Sequence, residues 1–351
     1  MQLAGDRRTG VGRPVRRDPH PGARRRRARR SAGLTVAGDS AVPEVPYDLV
    51  TLGEAMAVLA PEAGDRLATA GTLTIGTAGA EANVARTVAQ LGGRVAWVGA
   101  LGADPLGDRI LADLRASGVD VSHIIRDATA PTGLYLKDTD ESRATAMYYY
   151  RKNSAASKMD AGLLSTLPRH TVLHLSGITA ALSETCLELS RAALLGPRNG
   201  VVSFDVNHRP ALWLGRDAAP VLAELANAAD LVFVGLDEAA ALWGTETIES
   251  IRELLPAPTT IVVKDGAIGA TAHLADSEPL FEPAPLIDVL EPVGAGDAFA
   301  AGYLHALIQG RSERDRLVEG HAAAGRALMT TGDVAAADVG GAVVSGSDRL
   351  L

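Results

Sequence analysis

The stretch Glu291-Pro292-Val293-Gly294-Ala295-Gly296-Asp297-Ala298-Phe299-Ala300-Ala301-Gly302 joins an irregular lead-in to a long apolar helix through a Gly-Ala-Gly turn. Small residues let backbone N–H groups approach a ligand closely, and a helix N-terminus adds roughly half a positive charge. Gly294, Ala295 and Gly296 therefore predict an anion site suited to phosphate. The pattern is neither a dinucleotide-binding GxGxxG motif nor a GxxxxGK[ST] loop.

Asp297 follows the turn directly, at the mouth of the predicted phosphate site. A carboxylate beside a phosphate cradle repels phosphate, so its natural role is to accept a proton from an attacking hydroxyl. Helix capping is the alternative, because aspartate is common in the first turn of a helix. Taken alone, the residue type and its position leave both roles open.

Short apolar runs alternate with stretches of helical periodicity from residue 47 onward. The runs predict strands at residues 48–52, 95–98, 171–175, 201–206, 231–234 and 260–263. Helices are predicted at residues 81–91, 105–117, 183–195 and 217–228. Continuous apolar runs are typical of strands buried on both faces, so we expect an α/β fold with a mostly parallel sheet flanked by helices.

Two strand-like segments interrupt this alternation. They cover residues 132–137 and 145–152, and a charged stretch at 138–143 separates them. This pattern predicts a β-hairpin without a helix to cover it, projecting as a small β flap, or lid.

The composition excludes several classes of protein. The chain has 351 residues with 47% hydrophobic and 22% charged residues, which is ordinary for a globular protein and excludes a collagen-like or wholly disordered one. Cys186 is the single cysteine, which excludes a disulfide framework and fits a reducing, cytoplasmic compartment. The apolar run at 298–310 is too short to cross a bilayer, so we expect no membrane partner.

The first 40 residues contain eleven arginines and three acidic residues, although the whole chain has a formal net charge of −8. Dense runs of one charge repel themselves and stay disordered. Residues 1–44 are therefore predicted to form a disordered arginine-rich extension. Nucleic-acid binding and targeting are the alternatives, and a nucleic-acid partner is not expected.

The glycine turn and its helix resemble the C-terminal signature of the PfkB (ribokinase-like) sugar kinases. Residues 78–85 (Ala-Gly-Ala-Glu-Ala-Asn-Val-Ala) are similar to the family's GGAxxNxA motif, and residues 102–107 (Gly-Ala-Asp-Pro-Leu-Gly) to its GxDxxG motif. The resemblance covers about residues 47–335. It implies a ribokinase-like kinase domain over 45–335, a lid from about 54–77 and 132–152, and a C-terminal tail over 336–351.

Four segments resemble the family members that phosphorylate 2-keto-3-deoxygluconate. These segments are residues 132–136, 149–157, 174–179 and 205–213. The resemblance implies ATP-dependent phosphorylation of this sugar acid at its C6 hydroxyl. Another sugar or sugar acid, such as fructose or the galactonate epimer, and a catalytically silent sugar-acid sensor are the alternatives.

A sugar acid carries a carboxylate, and arginine suits it because the planar guanidinium donates two parallel hydrogen bonds. Arg151 and Arg209 lie in segments that could converge on such a group; exposed charges on the lid and on a surface loop are the alternative interpretation. The resemblance implies substrate contacts at Gly79, Asn83, Tyr135, Tyr149, Tyr150, Arg151, Arg209 and Asp333. Packing within the lid is the alternative for the tyrosines, and stabilisation of a helix start for Asn83.

The resemblance also implies sites for ATP and cations. Nucleotide contacts are expected at Asn207, Arg209, Lys264, Gly266, Gly269, Gly294 and Gly296. Glu238 matches the glutamate of the family's NxxE motif, which organises water around Mg²⁺, although Gly235 replaces the asparagine. Glu291 stands where an aspartate often helps bind a monovalent cation, which leaves K⁺ dependence open. The expected partners are the sugar acid, ATP and further copies of the chain in a homo-oligomer.

Overall fold

A computed structural model describes residues 46–330, apart from 63, 140–144, 199 and 291. The strands are β1 Tyr47–Leu52, β2 Met56–Ala60, β3 Thr74–Ala78, β4 Val95–Val98, β5 Ala100–Gly102, β6 Ile125–Asp127, β7 Leu134–Thr139, β8 Thr145–Tyr150, β9 His170–Ser176, β10 Val201–Asp205, β11 Leu231–Gly235, β12 Thr260–Asp265, β13 Gly269–Leu274 and β14 Leu280–Pro283. The helices are α1 Ala80–Gln90, α2 Pro105–Ala116, α3 Gly177–Ala181, α4 Glu184–Leu195, α5 Ala218–Ala228, α6 Leu236–Trp243, α7 Ile248–Leu254, α8 Ala295–Ile308 and α9 Glu313–Leu328.

The main sheet has eight strands in the order β14-β13-β12-β11-β10-β9-β1-β4. The strands from β12 to β4 are parallel to their neighbours, whereas β13 and β14 run antiparallel. Side chains alternate between the two faces: Leu49 of β1 belongs to the same buried cluster as Tyr303 of α8, whereas Leu52 belongs to a second cluster that contains Phe204. Both faces are therefore buried under helices, as the continuous apolar runs predict.

The lid is a separate four-stranded sheet in the order β3-β2-β7-β8. The predicted hairpin is present, with β7 and β8 antiparallel and Tyr135 directly opposite Tyr149. A bidentate ion pair connects the loop after β2 to β7: Arg66 Nε donates to Asp138 Oδ1 at 3.0 Å, and Arg66 Nη2 donates to Asp138 Oδ2 at 2.7 Å. β2 and β3 lie within the segment that the resemblance assigns to the lid.

The predicted strands and helices are all present, with ends that differ by one or two residues. Side-chain caps fix several helix starts: Ser183 accepts from Cys186 N at 3.1 Å and Asp217 from Ala219 N at 3.2 Å. Helices α3, α6, α7 and α9 were not predicted; in α9, small residues form most of the buried face, which weakens the hydrophobic periodicity. Gly302 of α8 shows how close this contact is, since a Cβ there would lie 2.3 Å from the carbonyl oxygen of Glu319.

Among residues 46–330, excluding the gaps named above, the helices are too short or too polar to cross a membrane. The predicted extension at 1–44 and the tail at 336–351 lie outside the described residues, as do Glu291 and Asp333.

Candidate active site

A cleft of about 740 Å³ lies between the lid and the carboxyl ends of the central strands. Ligands of open α/β sheets bind at this edge, because loops from neighbouring parallel strands meet there. The predicted site residues that line it are Gly79, Asn83, Tyr135, Tyr149, Arg151, Asn207, Arg209, Glu238, Lys264, Gly294, Gly296 and Asp297. Residues far apart in the chain therefore converge on one cleft.

The glycine turn forms the N-terminus of α8. Gly294 has a φ of 83°, in the left-handed region that glycine adopts without strain, and it directly precedes the helix. Gly296 lies in the first turn, where a Cβ would come 3.6 Å from Lys264 Nζ. Small side chains thus leave the positive end of the helix dipole open to the cleft, as an anion site requires.

Asp297 lies between two amide side chains. Its Oδ2 accepts a hydrogen bond from Asn83 Nδ2 at 2.9 Å, and its Oδ1 one from Asn207 Nδ2 at 3.4 Å. The pKa of Asp297 is raised to about 7: burial and the charge of Asp205 raise it, while the hydrogen bond from Asn83 and the charges of Lys264 and Arg209 lower it. This carboxylate therefore titrates near neutral pH, in the range where a general base is most effective.

Asn207 reaches Asp297 from an unusual backbone conformation. Its φ is 41°, in the left-handed region, which asparagine tolerates better than most residues. The chain turns sharply there after β10, and the amide points back to the start of α8. Asn83, on α1, approaches from the opposite side of the cleft.

A network of charges lies behind the glycine turn. Lys264 Nζ contacts Asp205 Oδ2 at 2.8 Å, and Asp205 is almost fully buried. Burial lowers the pKa of Lys264, but the carboxylates of Asp205 and Glu238 outweigh this and hold the pKa above its ordinary value. Lys264 is therefore a fixed positive charge beside the N-terminus of α8.

Glu238 is tied to the backbone. Its Oε2 accepts from Gly235 N at 3.0 Å and its Oε1 from His208 N. Burial raises the pKa of Glu238, and the nearby charge of Asp205 acts in the same direction. Glu238 thus holds the loop after β10 against the start of α6, at the edge of the cleft.

The opposite end of the cleft contains aromatic and cationic side chains. Tyr135 and Tyr149 lie on facing lid strands with ring centroids 5.4 Å apart, and the Arg151 guanidinium is 5.5 Å from the Tyr149 ring. Arg209, in contrast, follows β10 on the side of Asp297, whose pKa its charge lowers; it is exposed and donates to the carbonyl of His208. Gly79 lines the cleft and packs closely on the backbone of Glu54, since a Cβ there would lie 2.3 Å from the Glu54 carbonyl oxygen.

Some predicted residues lie elsewhere. Tyr150 is 62% exposed on the opposite face of β8 from Tyr149 and does not line the cleft. Gly266 and Gly269 form the turn between β12 and β13, beyond the residues that line it. The roles of these three residues stay predictions.

Two buried acids in the cleft escaped prediction. Glu54 follows the end of β1, and Asp205 ends β10. An acidic residue at the carboxyl end of an apolar strand is a detectable signal, because that is the ligand-binding edge of a parallel sheet. Asp205 lies close to the predicted site residues Asn207 and Arg209, whereas no site residue was predicted next to Glu54.

Comparison with known proteins agrees with this geometry. The profile described as "pfkB family carbohydrate kinase" matches residues 47–338, which is most of the chain. The chain belongs to the pfkB family of carbohydrate kinases. The glycine turn, Asp297 and the lid are thus parts of a pfkB-family fold.

Curated relatives of this pfkB-family chain include sugar-acid kinases. It is 36% identical to 2-dehydro-3-deoxygluconokinase of Bacillus subtilis over 82% of this chain and 91% of the relative. It is 32% identical to 2-dehydro-3-deoxygalactonokinase of Haloferax volcanii, over 82% of this chain and 93% of that protein.

Solved pfkB-family structures share the fold. A PfkB protein from Polaromonas sp. JS666 has a TM-score of 0.72 and 34% identity, covering 80% of this chain and 95% of that one. A Vibrio cholerae fructokinase in a form bound to fructose, ADP and calcium ion has a TM-score of 0.70 and 26% identity, covering 82% and 94%. The predicted ribokinase-like α/β fold and the kinase class are confirmed.

Proposed function

We propose that this pfkB-family kinase transfers the γ-phosphoryl group of ATP to the C6 hydroxyl of 2-keto-3-deoxygluconate, also called 2-dehydro-3-deoxygluconate. One observation carries the proposal: Asp297 lies beside the open N-terminus of α8 in the same cleft as Arg151 and Arg209. A base, a phosphate site and two guanidinium groups are the parts that phosphorylation of a sugar acid requires. The names of the curated relatives support the same substrate class.

Asp297 acts as the general base. Its carboxylate takes the proton of the C6 hydroxyl as that oxygen attacks the γ-phosphorus in line with the leaving oxygen of ADP. Asn83 and Asn207 each donate to one of its oxygens and so restrict rotation of the carboxylate. Phosphoryl transfer asks the protein mainly for such positioning.

The N-terminus of α8 stabilises the charge on the transferred group. The first backbone N–H groups of a helix have no intrahelical partners, so the N–H groups of Gly294, Gly296 and Asp297 can donate to phosphoryl oxygens, whereas that of Ala295 donates to the Pro292 carbonyl at 3.4 Å. Lys264 adds positive charge from behind Gly296. We place the nucleotide phosphates here, with Asn207 and Arg209 beside them.

Mg²⁺ fits this site as an ion held mainly by phosphates and water. The described residues contain no cluster of three or more His, Cys, Asp or Glu side chains that could enclose a metal ion. Asp205 Oδ1 is buried without a hydrogen-bond partner in this part of the chain, and Glu238 lies nearby, so both can order water around the ion. When bound, Mg²⁺ neutralises phosphate charge.

The lid provides a further surface for assembly. β8 is an edge strand of the lid, and Tyr148 and Tyr150 are 50% and 62% exposed on its outer face. Exposed edge strands favour pairing with another chain. We therefore propose a homo-oligomer built through the lid.

We also propose a cytoplasmic location, with which the free, buried Cys186 is consistent.

A substrate panel tests the proposed function. Purified protein is assayed for ADP release with 2-keto-3-deoxygluconate, its galactonate epimer and fructose, and the product is analysed by ³¹P and ¹³C NMR. We expect the highest kcat/KM with 2-keto-3-deoxygluconate and phosphate on C6. The galactonate epimer is the second candidate, because the Haloferax volcanii relative is named for it. Preference for fructose, or turnover with none of these compounds, would contradict the proposal.

A further inference from the structure

Arg151 is paired with a buried carboxylate, Glu54, to which the steps above assign no role. The Glu54 carboxylate contacts Arg151 Nη2, and Ser154 Oγ donates to Glu54 Oε1 at 3.1 Å. The Glu54 side chain is 1% exposed and that of Arg151 10%. Both residues line the cleft, so the pair is desolvated but reaches the substrate end of the site.

The pair is built into the junction of the main sheet and the lid. Glu54 follows β1 of the main sheet, whereas Arg151 follows β8 of the lid. Gly133, just before β7, leaves room for both: a Cβ there would lie 2.8 Å from Glu54 Oε1 and 3.4 Å from Arg151 Cβ. Tyr149 covers the guanidinium from the lid side. Glu54 and Tyr149 therefore contact the Arg151 guanidinium from two sides and restrict its orientation.

The pairing changes what Arg151 offers to a ligand. A guanidinium has five N–H donors, and Glu54 occupies one terminal nitrogen. Arg151 Nε is buried and has no hydrogen-bond partner among the described residues. Because the carboxylate compensates its charge, Arg151 contributes directed N–H donors rather than a diffuse positive field. Arg209, in contrast, is exposed and donates to the backbone carbonyl of His208.

We propose that Glu54 is a specificity-determining positioning residue, which orients the Arg151 guanidinium so that its remaining N–H groups bind the carboxylate of the sugar acid. The inference rests on the proposed function and extends it. It assigns the recognition of the acid to a Glu54–Arg151 unit rather than to an isolated arginine. A buried charge pair suits this role, because the two partners hold each other in place. Loss of Glu54 would leave the buried charge of Arg151 uncompensated.

The test separates binding of the sugar acid from binding of ATP. We expect Glu54→Gln to raise the KM for 2-keto-3-deoxygluconate at least about tenfold, the scale of a lost hydrogen bond to a charged group, and to change the KM for ATP less than about twofold. Asp138→Asn is the matched control, because it breaks another carboxylate–arginine pair of the lid outside the cleft. It is expected to leave both KM values unchanged.

A double-mutant cycle tests whether Glu54 acts through Arg151. Arg151→Gln alone is expected to raise the KM for the sugar acid, and adding Glu54→Gln is expected to raise it no further. A multiplied effect in the double variant would overturn the inference, as would an unchanged KM for the sugar acid in Glu54→Gln or equal rises in both KM values.

Folding and function are controlled separately. Circular dichroism and thermal melting show whether each variant folds; if Glu54→Gln does not, Glu54→Asp replaces it, and an unchanged KM for the sugar acid then overturns the inference. Wild-type protein that phosphorylates no sugar acid would remove the proposed function and this inference together. Wild-type turnover with an unchanged KM in the folded variant would remove this inference alone.

Discussion

Asp297 shows how one side chain acquires two constraints from its surroundings. Burial favours its neutral form, whereas the amide of Asn83 and the charges of Lys264 and Arg209 favour the carboxylate. The balance places its pKa at about 7, so an appreciable fraction is ionised at neutral pH. Two amides also restrict its orientation. A capping residue on the surface would need neither property.

Replacement of the base tests this assignment. Asp297→Asn preserves the size of the side chain, but its amide cannot take up the proton and can accept from only one of Asn83 and Asn207, so kcat is expected to fall by about 10²-fold or more. Binding of ATP and sugar acid, measured by calorimetry, is expected to persist. Near-wild-type turnover would refute the role of Asp297 as the base.

The same residue links stability to pH. Because its pKa is raised on folding, the native state binds the proton more tightly than the unfolded state, and stability is lost as pH rises from about 4 towards 7. Asp297→Asn is therefore expected to raise the melting temperature relative to wild type at pH 8, and to change it less at pH 4. An equal difference at both pH values would contradict the buried titration.

The pH dependence of activity provides an independent measurement. With both substrates below saturation, kcat/KM is expected to rise with pH through about 7 as Asp297 ionises. Asn83→Ala removes a hydrogen bond that lowers this pKa, so the acidic limb is expected to move to higher pH. ATP and the sugar acid titrate identically in the assays of wild type and of Asn83→Ala. A difference between the two pH profiles is therefore due to a group of the protein.

At the level of the elements, helix α8 positions the turn and the base together. Gly294 precedes the helix with a φ of 83°, and Gly310 follows it with a φ of 69°. Alanine at either site costs roughly 1–2 kcal/mol, because a side chain disfavours the left-handed conformation. Both positions thus require a left-handed backbone conformation, but of the two only Gly294 lines the cleft.

Alanine substitutions at these two glycines form a matched pair of variants. Gly294→Ala and Gly310→Ala are expected to lower the free energy of unfolding by similar amounts in urea titrations. We expect Gly294→Ala to reduce kcat at least about tenfold as well, since the N–H donors of the turn move. Gly310→Ala is expected to retain it. Similar kcat values for both variants would argue against a phosphate site at this helix end.

A second signature has a structural role at the base of the lid. Asp104 caps α2 by accepting from Gly107 N at 2.8 Å, and its other oxygen accepts from Thr132 N at 2.7 Å. Thr132 Oγ1 in turn accepts from Gly102 N at 3.0 Å. The GxDxxG segment therefore fastens the chain that enters the lid hairpin to α2, close to Gly133 and the Glu54–Arg151 pair.

For the molecule as a whole, the charge distribution separates the extension from the kinase. The first 40 residues are strongly positive within a chain whose net charge is −8. Among the described residues, those that line the cleft lie between Glu54 and Asp297. The pfkB family match begins at residue 47, so the arginine-rich segment lies outside it.

Deletion of residues 1–44 is accordingly expected to leave kcat, both KM values and the melting temperature within about twofold or a few degrees of the full chain. A loss of turnover would show that the extension contributes to the kinase. A salt-dependent electrophoretic shift with duplex DNA, lost on deletion, would instead assign nucleic-acid binding to it.

Local patterns accounted for the fold and for part of the site. Apolar runs and caps report on neighbouring residues, so six strands of the main sheet, the lid hairpin and five helices could be predicted from them, whereas β5, β6, β13 and β14 were not. The family resemblance added the segment at 54–77 to the lid and drew attention to the arginines. The roles of the site residues stay predictions until the variants above are measured.

Local patterns could not predict which side chains far apart in the sequence contact each other. Asn83 and Asp297 are 214 positions apart, and Glu54 and Ser154 are separated by 100. Periodicity carries no information on which distant side chain meets a given carboxylate, because strand order and lid position set those contacts. Packing in three dimensions therefore determined the raised pKa of Asp297 and the pairing of Arg151, whereas chain chemistry alone specified the elements that carry them.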